Sequence, residues 1–157
     1  MGKDVGEHMG VVTALVRSSF LVNAVYAEAG RGYGLTPQQG QLLCVLMGQP
    51  LGMGELGSIL GLAKSSLTGL VDRCAQRGLV RREADPSDGR AVRVALTAEG
   101  RSLVDAFYAD TCRRVEELPS GLTEAERVTL AGLLSRVVRD NKVPAVFLEL
   151  DEGPVAR

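Results

Sequence analysis

Histidine is almost absent from this chain: His8 is the only one in 157 residues. That removes most hydrolytic triads, imidazole-rich metal sites and histidine acid–base chemistry. Cysteine is scarce as well. Cys44, Cys74 and Cys112 are odd in number and widely spaced, which suits a reducing compartment better than a disulfide scaffold. No apolar run approaches the roughly 20 residues needed to cross a bilayer. The segment Met1 to Gly10 carries Lys3, Asp4 and Glu7 and lacks a small-residue cleavage site, so it does not read as a secretory signal. Gly2 is followed at position 6 by glycine where a myristoylation motif wants Ser or Thr. There is also no phosphate-cradling loop, no nucleophile beside a base and no ligand cluster at metal spacing. The expectation is a cytoplasmic protein that is not an enzyme, holds no metal or cofactor and does not enter membranes.

What is present is a globular composition, 45% hydrophobic and 24% charged, with a formal net charge of −1. The length fits one compact domain, or one small domain with dimerisation arms. Prolines at 37, 50, 86, 119, 144 and 154 fall where a helical protein wants boundaries. From about Val5 to Ala29, Val12, Leu15, Val16, Phe20, Val22 and Val25 recur mostly at helical spacing, and the glycine cluster Gly30-Arg31-Gly32-Tyr33-Gly34 reads as a stop and loop. Thr36, Pro37 and Gln39 form a capping box with proline at the first helical position, opening a second helix that stops near Gly48.

A short helix from about Met53 to Leu60 is followed by Gly61 and another helix from about Ala63 to Arg77, ended by Gly78. Two β runs follow, Leu79 to Glu83 and Ala91 to Leu96. In the second, Val92, Val94 and Leu96 alternate against Arg93 and Ala95. The turn-rich stretch from Ala84 to Arg90 joins them and puts Arg90 at the hairpin tip. Thr97 caps a long helix to about Leu118, and Thr123 with Glu126 boxes a last one ending near Asn141. The tail from Lys142 to Arg157 has no sustained pattern.

Two helices joined by about three residues around a glycine make a helix-turn-helix, the spacing that lets the second lie in a major groove. Leu67, Leu70, Val71 and Cys74 give that second helix one apolar face. The opposite face displays Lys64, Ser65, Ser66, Thr68, Gly69 and Arg73, short donors and cations suited to phosphates and base edges. Charge is concentrated here. Residues 63–101 hold Lys64, Arg73, Arg77, Arg81, Arg82, Arg90, Arg93 and Arg101 against Asp72, Glu83, Asp85, Asp88 and Glu99, a net of +3 inside a chain of −1. Arg90 on a thin loop suits a narrow minor groove, with Asp88 bracing the arginine or the loop backbone.

The run Glu55-Leu56-Gly57-Ser58-Ile59-Leu60-Gly61-Leu62-Ala63-Lys64-Ser65-Ser66-Leu67-Thr68-Gly69-Leu70-Val71-Asp72-Arg73 resembles the helix-turn-helix of the multiple antibiotic resistance regulator (MarR) family. Gly78-Leu79-Val80-Arg81-Arg82, Asp85-Pro86-Ser87-Asp88-Gly89-Arg90 and Leu96-Thr97-Ala98-Glu99-Gly100 resemble its strand, its wing and the entry to its next helix. The fold this implies is mainly α with a small β-hairpin wing: a winged helix-turn-helix lobe at 36–96, with dimerisation helices and a tail at 1–35 and 97–157.

The resemblance also implies a homodimer that reads a palindromic operator in double-stranded DNA, usually as a repressor. Lys64, Ser65, Ser66, Thr68 and Arg73 would contact DNA from the recognition helix, Arg90 from the wing with Asp88 orienting it, and Arg93 beside them. Many such regulators are released by small aromatic or anionic effectors. Arg17, Phe20, Tyr26, Tyr33 and Leu46 are the candidates to line that site, with Arg31 as another cation. The chain departs from the family at Ala63, which cannot cap, and at Gly69 and Gly89, where arginine is common. Those lost cations leave open an alternative, a winged-helix module for protein contacts without DNA binding. Cys44 and Cys74 read as core thiols, and Cys112, beside Arg113 and Arg114, as the one candidate for oxidant sensing. Apolar Leu103, Val104, Phe107, Tyr108 and Val115, then Val128, Leu130, Leu133, Leu134, Val137 and Val138, exceed what one lobe needs and point to dimer burial, with packing inside the chain's own core as the alternative.

Overall fold

Threonine side chains cap the N-termini of three of the six helices in the computed structural model, which describes residues 9–143. His8, the expected helix start before Met9, and the tail beyond Val143 lie outside the described residues. Helix α1 spans Val11–Gly32 and α2 Pro37–Val45; α2 opens on the Thr36 box, Gln39 N–H to Thr36 Oγ1 at 3.2 Å and Thr36 N–H to Gln39 Oε1 at 3.0 Å. Strand β1 (Leu51–Gly52) leads into α3 (Met53–Leu60), and Gly61 at φ +65° turns the chain into α4 (Lys64–Gln76). Strands β2 (Val80–Asp85) and β3 (Asp88–Leu96) form the wing. Thr97 and Thr123 then cap α5 (Ala98–Glu117) and α6 (Glu124–Asp140), the latter through the expected box with Glu126.

The glycine cluster after Ala29 does not stop the first helix. Gly30 and Gly32 lie within α1, and Gly30 is there because Leu35 folds back: a Cβ on it would stand 2.8 Å from the Leu35 carbonyl oxygen, to which no side chain can yield. α1 also corrects the reading of its apolar content. At 22 residues and mean hydropathy 1.2 it reaches the length and composition of a membrane span, though its C-terminal part packs on α5, where Tyr26 meets Phe107, and buries Ala29 and Gly30.

The sheet is antiparallel in the order β1-β3-β2, with Leu51 opposite Val94, Arg82 opposite Val94 on the other side, and Glu83 opposite Arg93. β1 was not expected from its two residues. The core joins Leu42, Leu43 and Leu46 of α2, Leu56 of α3, the α4 face, Leu79, Val80 and Val94 near the sheet, and Val104 and Phe107 of α5. Gly100 locks α5 to this lobe. A Cβ there would fall 1.8 Å from the Leu79 carbonyl oxygen, while Thr97 donates from Oγ1 to the Gly78 carbonyl at 2.6 Å. The Leu96-to-Gly100 motif is therefore a backbone-on-backbone junction.

The arms differ. α6 buries none of its residues, and α1 exposes Val11, Val12, Leu15, Val16, Phe20 and Leu21.

Candidate nucleic-acid interface

Helix α4 divides as its sequence predicts. Leu67, Leu70, Val71 and Cys74 are buried, and Lys64, Ser65, Ser66 and Arg73 are exposed on the other side. Ala63 is the N-cap in extended conformation, with no side-chain cap. The first-turn amides therefore point outward beside Lys64 without a side-chain acceptor, an arrangement that receives phosphate oxygens. Thr68 is half-buried and its Oγ1 donates to the Lys64 carbonyl at 2.8 Å, so its oxygen is left to accept. Gly69 leaves space that Arg73 occupies: a Cβ at 69 would meet Arg73 Nη1 at 3.2 Å. The guanidinium thus covers the position where the family commonly places arginine.

The wing is built differently from its expected form. The turn is Pro86-Ser87, held by Asp85, whose Oδ1 accepts from Ser87 N–H at 2.8 Å and Ser87 Oγ at 2.7 Å; these bonds hold the Asp85 carboxyl below its ordinary range. Arg90 is not at the tip but in β3, where pairing jumps from Asp85–Asp88 to Ala84–Val92. Residues 89–91 are the excess of that bulge, a distortion that re-aims side chains out of the ladder. Asp88 accepts from the Arg90 backbone N–H at 3.1 Å, so it braces the backbone and not the guanidinium. Val92, expected on the apolar face with Val94 and Leu96, is 48% exposed because the wing extends past the edge of the core, whereas Ala95 is buried.

Of the eight cations in residues 63–101, five are tied to the protein itself. Arg93 grips Glu83 Oε1 with Nε and Nη2, both at 2.7 Å. Arg81 joins the same carboxylate at 3.2 Å and the Leu96 carbonyl at 2.8 Å. The Arg93 and Arg81 contacts hold the Glu83 carboxyl below its ordinary range. Arg82 Nη2 reaches Asp72 Oδ1 at 2.6 Å, linking wing to recognition helix. Arg77 and Arg101 donate to the Gly34 and Met47 carbonyls at 2.7 and 2.8 Å. Among the described residues, Lys64, Arg73 and Arg90 carry no such ties. The structure therefore brings Lys64, Ser65, Ser66 and Arg73 together on one open face and leaves Arg90 open on the wing, while Arg93 is committed to Glu83. Apart from Arg81–Glu83, two positions apart, the ties could not be read from the sequence, since they join residues 10 to 54 positions apart.

The effector candidates do not form one set. Tyr26 and Tyr33 meet Phe107 edge-on at 6.3 and 5.9 Å, and the Tyr33 hydroxyl donates to the Ala106 carbonyl at 3.2 Å. Leu46 is in the core, and Arg17 and Phe20 lie on the exposed half of α1. A cleft of about 590 Å³ lies elsewhere, between α3 and α4, lined by Met53, Gly57, Ser58, Leu62 and Lys64 among others.

Burial pushes the Cys44 thiol up to about 12 and raises that of Cys74. Both are core thiols, as expected. Arg113 and Arg114, expected beside Cys112, instead grip Asp110 at 2.6 and 3.2 Å and lower its carboxyl. Among the described residues no group of acids, cysteines and histidines gathers at metal spacing.

A groove-sized helix with an open polar face, a β wing with an outward arginine and a core that seals behind both define a winged helix-turn-helix DNA-binding protein. The MarR family model matches residues 33–91. The HTH-type transcriptional repressor NicR of Pseudomonas putida is 32% identical over 138 residues, covering 86% of this chain and 85% of NicR. Wild-type apo MarR from E. coli aligns with a TM-score of 0.74 at 25% identity, covering 84% of this chain and 99% of that one. Bordetella bronchiseptica BpsR, whose DNA binding is regulated by 6-hydroxynicotinic acid, aligns at 0.68 and 26%, covering 90% and 100%. The chain belongs to the MarR family and is a DNA-binding transcriptional regulator.

Proposed function

We propose that the protein is a homodimeric, cytoplasmic repressor that reads a palindromic operator and is released by a small aromatic acid. The observation that carries the reading is the division of the eight cations: five brace the lobe and three, Lys64, Arg73 and Arg90, face outward from the two elements that enter grooves. Lys64, Ser65, Ser66, Thr68 and Arg73 contact the major groove and its phosphates, and Arg90 the minor groove. Asp88 holds the Arg90 backbone for that contact. Arg93 acts on DNA only through Glu83 and the shape of the wing. Lobe 36–96 supplies recognition, and the helices at 1–35 and 97–157 supply the dimer base. The apolar face of α6, which its own chain leaves exposed, supports that division. Relatives named as transcriptional regulators support the absence of an enzymatic role.

The effector class rests on BpsR and on the Tyr26–Tyr33–Phe107 corner, where ring edges converge beneath α1. In a dimer, a partner copy covering the arm half of α1 brings Phe20 and Arg17 to that corner, Arg17 meeting the anion, while Leu46 stays in the core. The test is fluorescence anisotropy on duplex DNA from upstream of the gene. We expect saturable binding that exceeds random DNA and falls with salt at a log–log slope of about −5 for six outward cations per dimer. Arg90→Ala should weaken binding by roughly 1–3 kcal/mol with an unchanged melting temperature. No binding to any duplex at low salt would leave the protein-interaction reading.

A further inference from the structure

Packing alone leaves the recognition helix underdetermined. Leu67, Leu70, Val71 and Cys74 fix its depth and the face it turns inward, but apolar contact is non-directional and holds small tilts of the axis less tightly. Directional bonds have to set those. One lies at the far end from the reading face. Arg77, the C-cap of α4, donates from Nη1 to the Gly34 carbonyl at 2.7 Å and to Gln39 Oε1 at 3.3 Å. Both acceptors are themselves fixed. Gln39 is buried and locked into the Thr36 box. Gly34 follows Tyr33, which is held to α5 by its ring on Phe107 and its hydroxyl on the Ala106 carbonyl. One guanidinium thus refers the reading helix to the α1–α2 corner and, through it, to α5.

We propose that Arg77 is a positioning residue for DNA recognition, setting the angle at which Lys64 to Thr68 meet the bases without touching DNA itself. The proposal rests on the reading of α4 as the recognition helix. Its leverage is geometric. Thirteen residues span about 20 Å, so a tilt of about 10° at the Arg77 end moves the reading end by about 3 Å. Base-edge hydrogen bonds do not survive that displacement, whereas phosphate attraction does. Sequence discrimination, not general affinity, is therefore what Arg77 controls.

The experiment uses the full chain. Wild-type protein selects a duplex of about 20 base pairs from a randomised pool, long enough for two half-sites a turn apart. Anisotropy then compares wild type, Arg77→Met and Arg77→Lys on that duplex and on a scrambled one, over a range of salt and well below the unfolding midpoint. Arg77→Met should bind the selected duplex about tenfold more weakly, bind the scrambled one within about twofold of wild type and keep the salt slope. Arg77→Lys, which retains a donor for the Gly34 carbonyl, should recover most of the loss. Equal losses on both duplexes with a slope shallower by about 2, for two cations lost per dimer, would make Arg77 a phosphate contact and overturn the proposal. Unchanged binding to the selected duplex would overturn it too, with the recognition-helix reading intact. If wild type selects no sequence, that reading fails first and takes the proposal with it.

Discussion

Helices α4 and α6 have similar amphipathic patterns and opposite fates. In α4, Leu67, Leu70, Val71 and Cys74 are all buried by the same chain. In α6, Leu130, Leu133, Leu134, Val137 and Val138 are all exposed. Hydrophobic periodicity says that a helix has a face to hide; it does not say whose surface hides it. The recognition helix is covered by its own chain, whereas α6 and the first half of α1 are left exposed by it.

The largest effect should come from breaking the arms. Leu133→Glu with Val137→Glu places charge on the face offered to a partner, and we expect a monomer by sedimentation, a retained helical spectrum and at least a hundredfold loss of operator binding as two half-sites become one. A dimer that survives the double substitution would place the interface elsewhere. Next comes the sealed lobe. Leu70→Ala should cost about 2–5 kcal/mol of stability in denaturant melts while leaving the subunit association of the folded protein unchanged. If it instead shifts the monomer–dimer equilibrium of the folded protein, lobe and arms are not separate units.

The smallest effect is a chemical probe of the same division. Burial raises the Cys44 thiol to about 12 and moves that of Cys74 in the same direction. At pH 8 both remain protonated, and the thiolate is the reactive form. A thiol reagent at pH 8 should therefore spare both in the folded protein and modify them on unfolding, Cys112 being half-buried and outside this prediction. Native-state labelling of Cys44 or Cys74 would show that the lobe opens.

Most of the fold was legible because local chemistry dictates it. The capping boxes at Thr36 and Thr123 and the turn at Gly61 are decided within a few residues, and each was placed to within a residue or two. The errors came where tertiary contact overrides local signals. Gly30 reads as a helix stop but is a contact with Leu35. β1 is two residues that become a strand only because Val94 lies opposite. Val92 alternates correctly yet stands beyond the core, and Arg90 is displaced from the tip by a bulge that a turn-rich sequence hides. The open face of α4 was legible for the same local reason as its buried one. Which arginines are tied was not, because Arg82–Asp72, Arg93–Glu83 and Arg77–Gly34 depend on elements meeting in space.

The order of the sheet carries a final consequence. With β3 in the centre, β1 and β2 each keep one backbone edge outside the ladder, the feature through which β proteins stick to one another. One edge is only Leu51–Gly52, too short to template a neighbour. The other is β2, which carries Arg81, Arg82 and Glu83 and runs into Pro86. Charge, brevity and proline discourage strand-to-strand aggregation, so a thin protruding ribbon is kept soluble where a longer apolar edge would seed fibrils.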